Sequence, residues 1–249
     1  MNSPSKVPVT ILTGFLGSGK TTLLNRILSE EHGKRIAVIE NEYGEVGIDQ
    51  ALVINADEEI FEMNNGCICC TVRGDLTEVL DRMHDRIKDF DGVIIETTGL
   101  ADPAPVAQTF FVDERVVDRY KLDGIITVVD AKHVIQHLED EKPEGVENET
   151  VEQLAFADRI MLNKIDLATE EELQNVEKKI KGINGFAPIF RTENSLLDPK
   201  ELINIGSFDL QRTLEMDPEF LDTDAEHEHD QRVTSTSAKF EGELNVNKL

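Results

Sequence analysis

Apolar positions along the chain follow two alternating rhythms. Val7–Thr13 (VPVTILT), Arg35–Glu40 (RIAVIE), Gly92–Glu96 (GVIIE), Gly124–Asp130 (GIITVVD) and Arg159–Asn163 (RIMLN) are short, nearly unbroken runs rich in β-branched residues. That is the pattern of strands buried on both faces. Ala187–Phe190 predicts one further short strand. Between these runs the spacing changes to that of a helix. Thr21–Glu31 gathers Leu23, Leu24, Ile27 and Leu28 on one face, and Gly74–Lys88 does the same with Leu76, Val79, Leu80, Met83 and Ile87. Glu170–Lys181 is a third helix, with its charges outward. Alternation of this kind predicts an α/β fold, a mostly parallel central sheet with helices on both faces.

Two stretches carry neither rhythm. Glu139–Glu152 reads as an acidic loop or frayed helix start. Asp209–Asp230 is acidic, ends in Glu226-His227-Glu228-His229-Asp230, and reads as a linker. Beyond it, Arg232–Phe240 alternates like a strand and Glu243–Leu249 resembles a helix start, with no partners left in the chain. The expected organisation is one α/β domain over 1–208, a linker over 209–231, and over 232–249 the beginning of a second domain cut short at Leu249.

At 249 residues the chain can bury a full core without staples. Charge narrows the functions available. Against 25 Lys+Arg stand 50 Asp+Glu, a net charge of -25. Such a surface repels phosphate backbones and anionic lipid, which argues against nucleic-acid and membrane partners and leaves room only for a compact cationic pocket. No run approaches the ~20 apolar residues of a membrane span. Met1–Pro8 has no apolar core of a secretory signal. The three cysteines fall within four positions, so they read as reduced thiols with a chemical task, and the expected compartment is the cytoplasm.

Gly14-Phe15-Leu16-Gly17-Ser18-Gly19-Lys20-Thr21 matches G-x-x-x-x-G-K-[ST] between a strand and a helix, which makes the predicted fold a P-loop NTPase. Its glycines let backbone N–H groups curl toward phosphate oxygens, and the following helix aims its positive end at the same anion. Lys20 reaches the β- and γ-phosphates and the Thr21 hydroxyl ligates Mg²⁺; Thr22 lies beside them. The alternative is a glycine-rich turn that merely joins strand to helix. Asn163-Lys164-Ile165-Asp166 follows directly on a buried strand, at the carboxyl edge where such folds bind ligands. The Asp166 carboxylate can accept from N1–H and the exocyclic amine of guanine, a donor pair adenine lacks. Asn163 can meet the other edge of the purine and the Lys164 stem can pack on its face. The competing reading is a helix N-cap at Asp166. Glu96, closing an apolar strand, can hold Mg²⁺, and the Gly99 N–H lies where a γ-phosphate would be.

Asn65-Gly66-Cys67-Ile68-Cys69-Cys70 sets up to three thiolates in one tight turn, a donor set that suits Zn²⁺ and leaves a fourth position open. Small core cysteines, or a catalytic thiol, are the alternatives. The acidic segment Glu40–Asp49 follows the second strand, where P-loop GTPases keep a switch that answers to γ-phosphate. Its glutamates could complete a metal site with the cysteines. Glu45 and Asp49 are candidates to position the attacking water.

GFLGSGKTTLLN, IENEYGEVGID, NGCICC, ETTGLADP and NKID, in that order and spacing, resemble the CobW family of P-loop GTPases over about residues 7–205. The resemblance implies a metallochaperone with GTP/GDP, Mg²⁺ and Zn²⁺ as ligands, Co²⁺ being the other metal it allows, and a client metalloprotein as partner; a homodimer is compatible with it. It assigns Cys67, Cys69, Cys70, Glu40 and Glu45 to the metal. Lys20, Thr21 and Glu96 are then the catalytic set, and nucleotide contacts come from Gly14, Phe15, Leu16, Gly17, Ser18, Gly19, Lys20, Thr21, Thr22, Gly99, Asn163, Lys164 and Asp166. The expected function is GTP hydrolysis coupled to metal transfer; the alternative is a metal-storage or stress adaptor that binds nucleotide with little turnover. Members of the family usually continue into a C-terminal domain of roughly one hundred residues.

Overall fold

The computed structural model describes residues 6–31, 33–40, 59–62, 71–88, 90–140, 142 and 148–222, with backbone alone at 40, 59–62 and 71–75. Among the described residues, seven strands form one sheet in the order β3-β2-β4-β1-β5-β6-β7. They are β1 (Val7–Thr13), β2 (Ile36–Glu40), β3 (Glu59–Glu62), β4 (Gly92–Glu96), β5 (Tyr120–Asp130), β6 (Arg159–Asn163) and β7 (Ile189–Arg191). Every neighbouring pair is parallel. The helices are α1 (Lys20–Ser29), α2 (Thr71–Ile87), α3 (Ala104–Val112), α4 (Glu114–Val117), α5 (Val134–Leu138), α6 (Glu149–Ala155), α7 (Glu170–Ile183) and α8 (Leu210–Met216). None of the described helices is long and apolar enough to cross a membrane.

The unbroken apolar runs have the cause expected of them. Alternate residues face opposite ways along a strand, and here both ways lead into packed layers. Val9, Ile11, Ala37, Ile39, Val93 and Ile95 join the layer under α2 and α3. Leu12, Ile36, Val38, Ile94, Ile126 and Val128 face α1, whose Leu23, Leu24, Ile27 and Leu28 are the stripe expected of it. Toward the β7 edge, Ile160 and Leu162 pack with Leu173, Val176 and Ile180 of α7.

Three features differ from expectation. Strand β3 carries only four residues, too few to show a period. In 139–152, expected as an acidic loop or a frayed helix start, the helix start holds and is capped rather than frayed: Asn148 caps α6 by accepting from the Thr150 and Val151 amides. The stretch expected to open a linker at Asp209 instead folds onto the domain. Between Val9 and Thr10 the β1–β5 register shifts, and Asp123 sits opposite the shift. There its carboxylate takes the Ile205 and Gly206 amides at 2.8 and 3.0 Å. The Asp123 carbonyl takes the amides of Ser207 and Phe208 at 2.9 and 3.1 Å. Asp209 then caps α8, Arg212 pairs with the buried Asp158, and Phe220 is fully buried against Phe111 and Phe208. The acidic letters of 209–222 conceal this because capping and ion pairing use the same residues as a solvated linker. Residues 232–249, the expected start of a second domain, lie outside the described residues.

Candidate functional site

The loop between β1 and α1 is shaped by glycine where shape demands it. Gly14 has φ 136°, and a Cβ there would stand 2.1 Å from the Val128 carbonyl oxygen. Gly19 has φ 113°, and its Cβ would meet Asn163 Nδ2 at 2.4 Å. Both positions combine left-handed backbone with contact, so no other residue fits. No side chain caps α1 and no acid occupies its first turn. Its leading N–H groups are therefore open to an anion. Ser18 Oγ, buried in the same loop, has no hydrogen-bond partner among the described residues. Lys20 is 7 % exposed and donates to the carbonyls of Gly14 at 2.6 Å and Phe15 at 3.3 Å. Burial lowers its pKa below the ordinary lysine value, while the negative Glu96 nearby opposes that shift.

Glu96 ends β4 with 8 % exposure, and its Oε1 lies 3.4 Å from Thr21 Oγ1. The fold thus brings Lys20, Thr21 and Glu96 together across 75 residues of sequence. Two hard oxygen donors beside a phosphate-binding loop form a donor set that fits Mg²⁺. Gly99 closes against the loop: a Cβ there would stand 2.6 Å from Leu16 N. Phe15 stacks on His137 of α5 with ring centroids 3.9 Å apart, and Leu16, Thr21 and Thr22 are exposed.

At the end of β6 the motif residues have different surroundings. The Asp166 side chain is exposed on a 3-10 turn, Ile165–Leu167, with no partner among the described residues. Asn163 is turned inward. It is 2 % exposed. Its Nδ2 donates to Ser18 O at 2.9 Å and Ser195 Oγ at 3.0 Å. Its Oδ1 accepts from Ser195 N at 2.9 Å and Thr192 Oγ1 at 3.2 Å. The amide clasps the phosphate loop to the Thr192–Ser195 loop. Lys164, in left-handed backbone at φ 61°, is held by its head group, which donates to Asp130 Oδ2 at 2.7 Å. Burial pushes the Asp130 carboxyl up, but hydrogen bonds from Lys164, His133 and the Lys132 amide outweigh it and leave the pKa lowered.

Asp130, Thr192 and Ser195 were not foreseen as site residues. Ser195 sits 32 positions from Asn163 and carries no motif; only its φ of 55° and complete burial mark it.

Glu62, Glu40 and Glu96 share one register level at the carboxyl ends of β3, β2 and β4. The segment bearing Cys67, Cys69 and Cys70 joins the end of β3 to the start of α2. Those cysteines, Glu45, Asp49 and the Glu40 side chain lie outside the described residues, among which no group of three His, Cys, Asp or Glu is poised for a metal.

Residues 8–191 match the family model "CobW/HypB/UreG, nucleotide-binding domain". The chain is 41% identical over 214 residues to the zinc chaperone YjiA of Escherichia coli, covering 84% of this chain and 64% of that protein. It is 38% identical over 241 residues to the zinc-regulated GTPase metalloprotein activator 1 of Dictyostelium discoideum, covering 84% of this chain and 50% of the relative. The chain therefore spans about half to two thirds of the length of these relatives. The crystal structure of Zn(II)-bound YjiA GTPase from E. coli superposes with a TM-score of 0.65 at 36% identity, over 82% of this chain and 63% of that one. HypB from Helicobacter pylori, solved in complex with nickel, shares the fold, with TM-score 0.54 at 15% identity, over 92% of each chain.

Proposed function

The chain belongs to the CobW/HypB/UreG nucleotide-binding family, and on that premise we propose that it is a GTP-hydrolysing metallochaperone whose cargo is Zn²⁺, delivered to a client metalloprotein. The observation that carries the nucleotide half is the convergence of Lys20, Thr21 and Glu96 on one glycine-shaped loop. Lys20 would turn from its loop carbonyls to the β- and γ-phosphates, and the orphaned Ser18 hydroxyl would gain a phosphate partner. Thr21 and Glu96 would hold Mg²⁺, which when bound neutralises charge on the phosphates. Hydrolysis then breaks the bond between the γ-phosphorus and the bridging oxygen as water adds. Gly99 N–H presents a donor to the γ-phosphate, and the unpartnered Asp166 selects guanine over adenine.

The metal half is supported by the C-x-C-C motif, by the register level shared by Glu40 and Glu96, and by relatives named as zinc chaperones. Thiolates favour Zn²⁺, with Co²⁺ the metal they would accept next. GTP and ATP turnover measured with and without Zn²⁺, on the natural chain and on Lys20→Ala, tests this reading. GTP-selective turnover that Zn²⁺ alters and Lys20→Ala abolishes is expected. Equal use of ATP, or a Lys20→Ala variant as active as its parent, would overturn the nucleotide half. Tight GTP binding without turnover in any metal state would turn the reading to a storage or adaptor protein.

A further inference from the structure

α6 is only seven residues long, yet one of its side chains governs the loop after β4. Gln153 is 1 % exposed. Its Nε2 donates to Gly99 O at 3.2 Å and to Ala101 O at 3.0 Å. Its own backbone carbonyl accepts from Thr127 Oγ1 at 2.6 Å, which pins the helix to β5. Gln153 Oε1, by contrast, is buried with no partner among the described residues. An amide whose acceptor goes unmet is an expensive way to fill space between a helix and a sheet; an apolar side chain would do that at lower cost. What the amide adds over an apolar residue is its pair of donors, and both are aimed at one loop.

That loop is seated from two sides. Before it, Thr97 is tied to β1 through Leu12 O at 3.0 Å and Thr13 Oγ1 at 2.9 Å. Gly99 presses on Leu16 of the phosphate loop, where even a methyl group would collide. Gln153 holds the carbonyls behind it. The same helix reaches the phosphate loop by a second route. Asn148 at its N-cap donates to His137 O at 2.8 Å, and His137 stacks on Phe15. α6 is therefore linked to both loops that would flank a γ-phosphate.

We infer that Gln153 is a positioning residue for γ-phosphate recognition: by fastening Gly99 O and Ala101 O it fixes the backbone just after the Gly99 N–H, holds that N–H at the phosphate loop and sets the preference for triphosphate over diphosphate. The inference rests on the reading of Gly99 as a γ-phosphate contact. A diphosphate makes no use of that contact, so the signature of Gln153 is the ratio of two affinities rather than either one alone.

The test measures the affinity of the Mg²⁺-loaded chain for GDP and for a non-hydrolysable GTP analogue, with nucleotide-free melting temperatures alongside. The variants are Gln153→Met, which keeps the volume, Gln153→Glu, which keeps the shape but removes both donors, and Gly99→Ala. Both Gln153 variants should lower the analogue-to-GDP affinity ratio about ten-fold, the effect of losing two neutral hydrogen bonds, while GDP affinity stays near that of the parent. Parallel losses for both nucleotides, tracking a fall in melting temperature, would show that Gln153 only packs α6 and would overturn the inference. Gly99→Ala separates the two claims. If it collapses the ratio while both Gln153 variants preserve it, Gly99 reads the phosphate without help from Gln153 and the inference alone falls. If it leaves the ratio intact, the Gly99 reading falls and the inference with it.

Discussion

Replacing Asn163 by alanine separates a scaffold role from a base-contact role, and the structure sets the size of the effect. The side chain makes four hydrogen bonds of 2.9–3.2 Å at 2 % exposure. Alanine removes all four and leaves the Ser18 carbonyl and the Ser195 amide facing a void. A buried polar group so stranded costs about 1–3 kcal/mol, and entering water relieves part of it, so the total should be roughly 2–4 kcal/mol. For a domain of this size that lowers the melting temperature by about 5–15 °C. The assay is thermal unfolding of the nucleotide-free chain beside titration with a fluorescent GDP. Asp166→Ala is the internal control. Its carboxylate is exposed and unpartnered, so stability should stay within about 0.5 kcal/mol while GDP affinity falls. If Asn163→Ala leaves the nucleotide-free melting temperature unchanged and lowers GDP affinity as Asp166→Ala does, Asn163 is a base contact and the clasp described above is wrong.

Three further outcomes follow from particular contacts. Gly14→Ala places a methyl 2.1 Å from the Val128 carbonyl oxygen at φ 136°, and should abolish GDP binding in the same titration. Phe220→Ala should lower stability by about 3–5 kcal/mol in denaturant unfolding, because the ring is fully buried; a loss near zero would return residues 209–222 to the status of a linker. Burial pushes the Asp158 carboxyl up to about 6 despite hydrogen bonds from the Ile125 amide and Arg212, so the native state binds this proton more tightly than the unfolded chain does. Asp158 should make stability fall as pH rises between 3.8 and about 6 and add no slope above that. Stability curves of Asp158→Asn against the parent should show that segment flattened, and an unchanged slope there would refute the assignment.

Much of this molecule was legible in its letters, for reasons the structure makes plain. Strands covered on both faces carry the continuous apolar runs, so β1, β4 and β6 were read to the residue. The phosphate loop was legible because its glycines answer local steric demands. Short elements were not, since α5 and α6 have five and seven residues and bury too few positions to show a stripe. α3, with its sequence APVAQTFFV, is apolar on nearly every side and shows no stripe either. Residues that act across the fold were also hidden. Gln153, Asp130 and Ser195 reach across the fold to partners 26 to 176 positions away in number, and no spacing rule links Ser195 to Gly19. Asn163 was found by its motif, but a motif names residues without saying which partners they hold, and those of Asn163, on Ser18, Thr192 and Ser195, could not be read from it.

The central claim is that nucleotide state and zinc occupancy are coupled in one chain. Its most direct test is a zinc competition titration against a chromophoric chelator, run with GDP·Mg²⁺ and with a non-hydrolysable GTP analogue. One Zn²⁺ per chain should bind through Cys67, Cys69 and Cys70. Its affinity should differ between the two nucleotide states by roughly 5–150-fold, and zinc should shift the ratio of the two nucleotide affinities by the same factor. Identical zinc affinities in both states would contradict the account, leaving a metal site and a nucleotide site that share a chain without exchanging free energy.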